Sequence, residues 1–306
     1  SDMAPGDLEA VSDRPNLYYV DTGMYDVAGY GAVYILDTAE PAVIDTGIGT
    51  NCEHIFDALD ELGIDALSYI LPTHVHLDHA GGAGFLAEAF PDAEVLVHDR
   101  GVDHLIDPDR LIEGTKAAVD DMWPYYTEPQ PVPEDRISGL SDGDKIDLGD
   151  RTLTAHAAPG HAPHQLIFET DGLVFTGDAA GIYVAARDEI HVTSPPPQFD
   201  VQHCLDDVSM IQSLDPDTLC FAHFGPRDYD EGLLDGYKRS LIEWVEAIRQ
   251  QRERQADDEA VIDHFVTNTD LTEIWGTEKG WAETRLNVRG VLAALDQGRV
   301  DGDGAS

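Results

Sequence analysis

Residues 17–21, 30–36 and 42–45 are short runs rich in Val, Ile, Leu and Tyr, and the pattern predicts strands, the third ending in the turn Asp45-Thr46-Gly47. Apolar positions at helical spacing follow over about 52–62. A further apolar run, 67–71, leads straight into a cluster of histidines, and a helical pattern at about 83–90 precedes a strand pattern at 94–98. Strand, loop, helix and strand in succession read as an α/β chain. The rhythm breaks at 101–135, a stretch holding Met122-Trp123-Pro124-Tyr125-Tyr126 and a proline-rich tail, Pro129, Pro131 and Pro133, which reads as an insertion that caps something. Strand patterns resume at 145–148, 152–157, 165–170 and 173–176, with Asp171-Gly172 as a two-residue turn. A helix over about 201–214 and a strand at 218–222 close this part. After Pro226 the patterns are helical, about 230–254, 259–267 and 281–296, with Trp244, Phe265, Trp275 and Trp281 as apolar mass for packing. The chain is therefore divided into a main unit, 1–228, and a helical extension, 229–306, packed on it. The closing Asp301-Gly302-Asp303-Gly304 is expected to fray.

Composition changes this picture in one respect. The chain has 306 residues, enough for a large core, and carries 18 Lys and Arg against 60 Asp and Glu, a net charge of −42. Only four cations are lysines: Lys116, Lys145, Lys238 and Lys279. A field this negative repels phosphate backbones and anionic lipid, so nucleic acid and membrane surfaces are excluded as expected partners, leaving a small-molecule substrate. The acids are spread along the chain, as suits a halophilic cytoplasmic protein: at molar salt a Debye length of roughly 3 Å quenches their repulsion. Cys52, Cys204 and Cys220 are too few and too scattered for a disulfide framework. No apolar run reaches the ~20 residues of a membrane span, and the N-terminal residues lack a charged segment followed by an apolar one. Homo-oligomerisation is left open.

The chemistry is concentrated in Thr73-His74-Val75-His76-Leu77-Asp78-His79. At the end of an extended segment, side chains at alternate positions point to one side, so His74, His76 and Asp78 converge and a turn can bring in His79. Imidazole and carboxylate suit zinc, iron or manganese. Three later stretches each deliver one ligand-type side chain near the tip of an apolar strand: Pro159-Gly160-His161, Thr176-Gly177-Asp178 and Phe221-Ala222-His223.

With these four stretches the sequence resembles the metallo-β-lactamase superfamily of dinuclear metallohydrolases, over about residues 15–228. The resemblance implies a four-layered αββα sandwich with two divalent metal ions, zinc first with iron or manganese as alternatives, in a groove at one edge of the two sheets. By position, one ion is held by His74, His76 and His161 and the other by Asp78, His79 and His223, with Asp178 bridging. A complete set of seven resembles the glyoxalase II and lactonase branches. Asp45 resembles the family's aspartate that orients a ligand histidine. The chemistry implied is a water shared by two cations, its pKa lowered towards ~7, attacking a polarised carbonyl or phosphoryl centre. Asp78 is the candidate to orient that water or to pass a proton to the leaving group.

Other residues enter as lesser candidates. Tyr183, five after Asp178, could donate to a developing oxyanion as a tyrosine does in the lactonase branch. Trp123, Tyr125 and Tyr126 could wall a substrate pocket. His164 lies three after His161, whereas glyoxalase II-like sequences tend to carry histidine four after, where this chain has Gln165. His98 and His104 are read as surface or packing residues. The expected function is metal-dependent hydrolysis of a thioester, lactone or ester. The alternatives are a phosphodiesterase or nuclease of the same fold, which the charge opposes, an iron-dependent oxygenase, and a non-catalytic metal-stabilised binding module.

Overall fold

The computed structural model describes residues 3–300, so the run from Asp301 to Gly304 lies outside the described residues. Two sheets face each other. The first has seven strands in chain order: β1 (Leu8–Ala10), β2 (Leu17–Asp21), β3 (Ala32–Leu36), β4 (Ala42–Ile44), β5 (Tyr69–Leu71), β6 (Glu94–His98) and β7 (Ile137–Leu140). Its first four strands pair antiparallel; from β4 onward the pairing is parallel. The second sheet uses β8 (Lys145–Asp147), β9 (Thr152–Ala157), β10 (Leu166–Thr170) and β11 (Leu173–Gly177). A small hairpin, β12 (Ile182–Val184) with β13 (Glu189–His191), follows. β14 (Thr218–Phe221) returns parallel to β11, and β15 (Gly225–Asp228) forms the edge.

Period-two alternation decides which side chains meet. In β3, Ala32, Tyr34 and Leu36 point between the sheets with Leu17, Ile44, Leu166, Phe168 and Phe175. Their neighbours Val33 and Ile35 point the other way, with Val20, Val43, Ile70 and Val95, onto α1 (Cys52–Glu61) and α3 (Ala83–Ala89) through Ile55, Leu59 and Leu86. The second sheet does the same: Ile167, Val174 and Leu219 face α6 (Val201–Ser213) and α7 (Glu231–Arg254) through Val208, Ile211 and Leu234. Strands buried on both faces explain why the sequence shows nearly continuous apolar runs. Helix, sheet, sheet, helix are the four layers expected.

Between β6 and β7 the expected insertion is mostly helical: α4 (Val102–Ile106), α5 (Asp109–Val119) and a 3-10 turn over Asp120–Tyr125. A short α2 (Leu77–Ala80) carries the end of the histidine motif. The tail continues with α8 (Asp258–Asn268), α9 (Leu271–Trp275) and α10 (Thr277–Asp296). Asp200, Asp230 and Asp257 cap α6, α7 and α8, each side chain accepting from a backbone N–H at 2.9 Å. The tail is not a detached appendage: Leu271 and Trp275 share an apolar cluster with Met24, Tyr25, Tyr30 and Met122. No helix among the described residues is long and apolar enough to cross a membrane.

Candidate metal centre

The seven donors arrive on loops just beyond strand ends. β5 stops at Leu71 and hands the chain to His74 and His76, and α2 then turns Asp78 and His79 back toward them. The loop after β9 carries His161, the end of β11 delivers Asp178, and the end of β14 delivers His223. Two glycines allow this. A Cβ on Gly160 would lie 2.3 Å from the backbone nitrogen of Cys204, and Gly177 holds φ +52°, which re-aims the chain for Asp178.

Two groups of donor atoms result, His74 with His76 and His161, and Asp78 with His79, Asp178 and His223, each set lying within 4.8 Å. Asp178 Oδ2 is 3.1 Å from His161 Nε2 and 3.1 Å from His79 Nε2, so this one oxygen reaches both groups. Asp78 Oδ2 lies 3.4 Å from His79 Nε2 and 3.3 Å from His223 Nε2. Two pairs of ring nitrogens face one another at 3.2 Å, His161 Nε2 with His76 Nδ1 and His223 Nε2 with His79 Nε2. His74 Nε2 and Asp178 Oδ1 are buried with no hydrogen-bond partner. Converging lone pairs and orphaned buried acceptors fit cations, and nitrogen with carboxylate oxygen fits divalent first-row metals.

The opposite ring edges are held. Asp45 Oδ2 accepts from His79 Nδ1 at 2.9 Å, while its Oδ1 accepts from the Thr73 backbone N–H at 2.7 Å. His223 Nδ1 donates to the Tyr30 carbonyl at 3.0 Å, and the Thr73 hydroxyl is 3.0 Å from His74 Nδ1. Such contacts fix the tautomer that leaves Nε2 free for an ion. Gln165 ties two ligand loops together, accepting from Asp178 N–H at 3.0 Å and donating to the Ala158 carbonyl at 3.0 Å.

Electrostatics agree with the geometry. Burial alone would favour a protonated Asp178, yet His79, His161 and His223 hold its pKa below the usual carboxylate range. Burial opposes a charge on His79, but Asp178, Asp78 and Asp45 outweigh it and raise its pKa. Burial, and then the neighbouring histidines, push His74 well down. His161 is pushed down to about 3, burial again coming first.

Asp207 on α6 supports the His161 loop by accepting from Gly160 N–H at 2.7 Å, and burial pushes its carboxyl up to about 7. An acid raised in the folded state loses stability as pH climbs from the unfolded value near ~4 through that folded value. Asp207→Asn keeps an acceptor for Gly160 and removes the charge. Unfolding at pH 8 should show a gain on the order of 2 kcal/mol that fades toward pH 4; a loss at pH 8 would mean the ionised carboxylate is needed.

Five of the donors, His76, Asp78, His161, Asp178 and His223, line a cavity of about 530 Å³, with His74 and His79 buried out of its lining. Of the residues expected to wall it, Tyr126 does line it. Trp123 stacks behind Tyr126, ring centroids 5.5 Å apart, and Tyr125 donates to Glu278 at 2.8 Å. Neither Trp123 nor Tyr125 lines the cavity. Tyr183 is also placed elsewhere: its hydroxyl donates to Asp188 at 2.8 Å, and it is not part of the wall. His104, read from sequence as a surface or packing residue, lines the cavity, as does His164, whose Nδ1 accepts from Val75 N–H at 3.2 Å.

Three further features were not found from sequence. Tyr25 and Tyr30 line the cavity, Tyr30 with its ring 4.5 Å from that of His223. Tyr25 holds φ +58°, a strained value for a bulky residue, and its hydroxyl is hydrogen-bonded to that of Tyr126. From the tail, α10 contributes Lys279 and Glu283, an ion pair at 2.6 Å buried to 7 % and 3 % exposure. The Lys279 ammonium lies 4.2 and 4.4 Å from the ring centroids of Tyr25 and Tyr30. The one available signal was the rarity of lysine in this chain.

Residues 27–223 match the model of the metallo-beta-lactamase superfamily. The metallo-beta-lactamase fold-containing protein ST1585 of Sulfurisphaera tokodaii is 26% identical over 214 residues, 68% of this chain and 78% of the relative. The crystal structure of ST1585 superposes with a TM-score of 0.68 at 22% identity, covering 90% of this chain and 98% of that one, which speaks to the fold. A coenzyme oxidase of Methanothermobacter marburgensis is 28% identical over 160 residues, but these are 51% of this chain and 34% of the oxidase. Hydroxyacylglutathione hydrolase 2 of Vibrio vulnificus is 30% identical over 137 residues, 45% of this chain and 41% of the relative. The family match spans well over half of the chain and contains all seven donors, so this protein belongs to the metallo-beta-lactamase superfamily.

Proposed function

We propose that the protein hydrolyses a small carboxyl derivative, a thioester, lactone or ester. The observation that carries this reading is the complete double donor set sharing Asp178 on the floor of a cavity walled chiefly by aromatic, aliphatic and proline side chains. Two divalent ions held there would supply an acidified water and a Lewis acid for the carbonyl.

The residues of the chain supply the rest. Asp178 and Asp78 would supply negative charge toward two bound ions, and the buried histidines would hold them. Asp78 lines the cavity and is placed to accept a proton from an attacking water and return it to the leaving group. Tyr25 and Tyr126 share one hydrogen bond, so one of their two phenolic protons is left over for a ligand. Burial raises the pKa of both, keeping them protonated donors at neutral pH. Such a donor stabilises charge developing on a carbonyl oxygen.

The relative named as a hydroxyacylglutathione hydrolase supports acyl chemistry through local similarity alone, and the departure at Gln165 argues against a close glyoxalase II identity. An iron-dependent redox enzyme is the second reading, favoured by the likeness to a coenzyme oxidase. The metal-loaded protein is tested against thioesters, lactones, esters, phosphodiesters and persulfides, with oxygen uptake followed in parallel. Turnover in one of the first three classes is expected. Oxygen uptake without hydrolysis would put the redox reading first. In the same screen, Tyr126→Phe should lower kcat about tenfold or more with metal content unchanged. Trp123→Ala should do less, because Trp123 acts only through Tyr126; equal effects would make Tyr126 mere packing.

A further inference from the structure

Five charged side chains other than histidines line the cavity: Asp78, Asp178, Lys279, Glu283 and Arg110. The two aspartates belong to the metal centre. Lys279 and Glu283 neutralise one another at 2.6 Å, and Glu283 is further engaged, accepting from the Tyr30 hydroxyl and from Asn287, each at 3.2 Å. Arg110 is the exception. It sits in the first turn of α5 between Asp107, Asp109 and Glu113, the last of these at helical i+3 spacing, in a chain with more than three acids for every base. Yet it has no ion pair within 4 Å among the described residues, and it is an exposed residue that borders the cavity.

We infer that Arg110 recognises a carboxylate carried by the substrate at the end remote from the bond that is cut. This deepens the proposed function, since it rests on the carbonyl being delivered to the metal centre in the same cavity. In a molecule of net charge −42, a free anionic ligand is repelled everywhere unless a local cation receives it. Among the described residues, Arg110 is the one Lys or Arg bordering that cavity that forms no ion pair within 4 Å. A guanidinium presents paired N–H donors that match the two oxygens of a carboxylate, which a lone ammonium cannot. The rest of the α5 face is small or apolar: Leu111, Gly114 and Ala118 line the space beside Arg110 and suit a short carbon chain. The substrate class is accordingly a half-ester, half-thioester or carboxy-substituted lactone of a short dicarboxylic acid. A polyanion does not fit one arginine.

The test has a binding arm and a turnover arm, both on the metal-loaded full chain. Glutarate and valerate have the same chain length and can each place one carboxylate at the metals, but only glutarate has a second for Arg110. Calorimetric titration should show glutarate binding about tenfold tighter than valerate. Arg110→Ala should remove that preference by weakening glutarate alone, Arg110→Lys should restore part of it, and metal content should not change. In turnover, glutaryl thioester should be preferred over valeryl thioester through KM, and Arg110→Ala should abolish the preference by raising KM for the glutaryl compound. Equal binding of the two acids by the unaltered protein, or equal loss of both in Arg110→Ala, would overturn the inference. A glutarate preference lost in Arg110→Ala, with no hydrolysis of any acyl compound, would uphold the anion site and refute the hydrolase reading instead.

Discussion

Asp178→Ala is expected to lose turnover by on the order of a thousandfold, about 4 kcal/mol in the barrier, and to retain fewer than two ions per chain. The reason is positional. Its Oδ2 lies 3.1 Å from ligand nitrogens of both groups, so alanine removes the one anion common to both ions and leaves like charges facing each other across the gap. Elemental analysis and kinetics on the best substrate check the two halves together. An Asp178→Ala protein with near-normal activity and two ions would show that the donor groups act independently.

The second large effect lies in the tail. Glu283→Gln leaves the Lys279 ammonium buried without its counter-charge, against two tyrosine rings that only partly compensate it. Breaking such a pair costs about 3 kcal/mol, roughly 6 °C in Tm for a chain of this size. The double change Lys279→Met with Glu283→Gln should recover most of the loss, since neither charge then remains buried alone. If Glu283→Gln melts with the unaltered protein, the pair is solvated in solution and the tail is looser against the cavity than described above.

What could be read from the sequence depended on whether a residue's role was local. His74, His76, Asp78 and His79 lie within six residues, so their convergence follows from strand and turn geometry alone. His161, Asp178 and His223 were legible because each ends an apolar strand, and strands of two facing sheets bring their ends together. The buried strands themselves gave continuous apolar runs whose positions needed correction by only a residue or two. Tyr183 shows the limit. Its spacing from Asp178 was suggestive, but β12 pairs with β13 and turns the hydroxyl onto Asp188, away from the cavity. The wall instead takes Tyr25, Tyr30 and Lys279, set 249 residues apart in the case of Tyr30 and Lys279, and joined only when α10 packs across the mouth of the sandwich. No periodicity encodes such a contact. His104 was underread for a related reason: a lone histidine carries no signal until its neighbours are known.

The central claim is that seven side chains form one centre for two ions. Elemental analysis of the full-length protein, purified without chelators and then reconstituted with zinc, iron or manganese in turn, tests it most directly. Two ions per chain are expected for at least one of these metals, falling to one or fewer in His79→Ala with the fold retained by circular dichroism. Fewer than one ion per chain under every reconstitution would contradict the account.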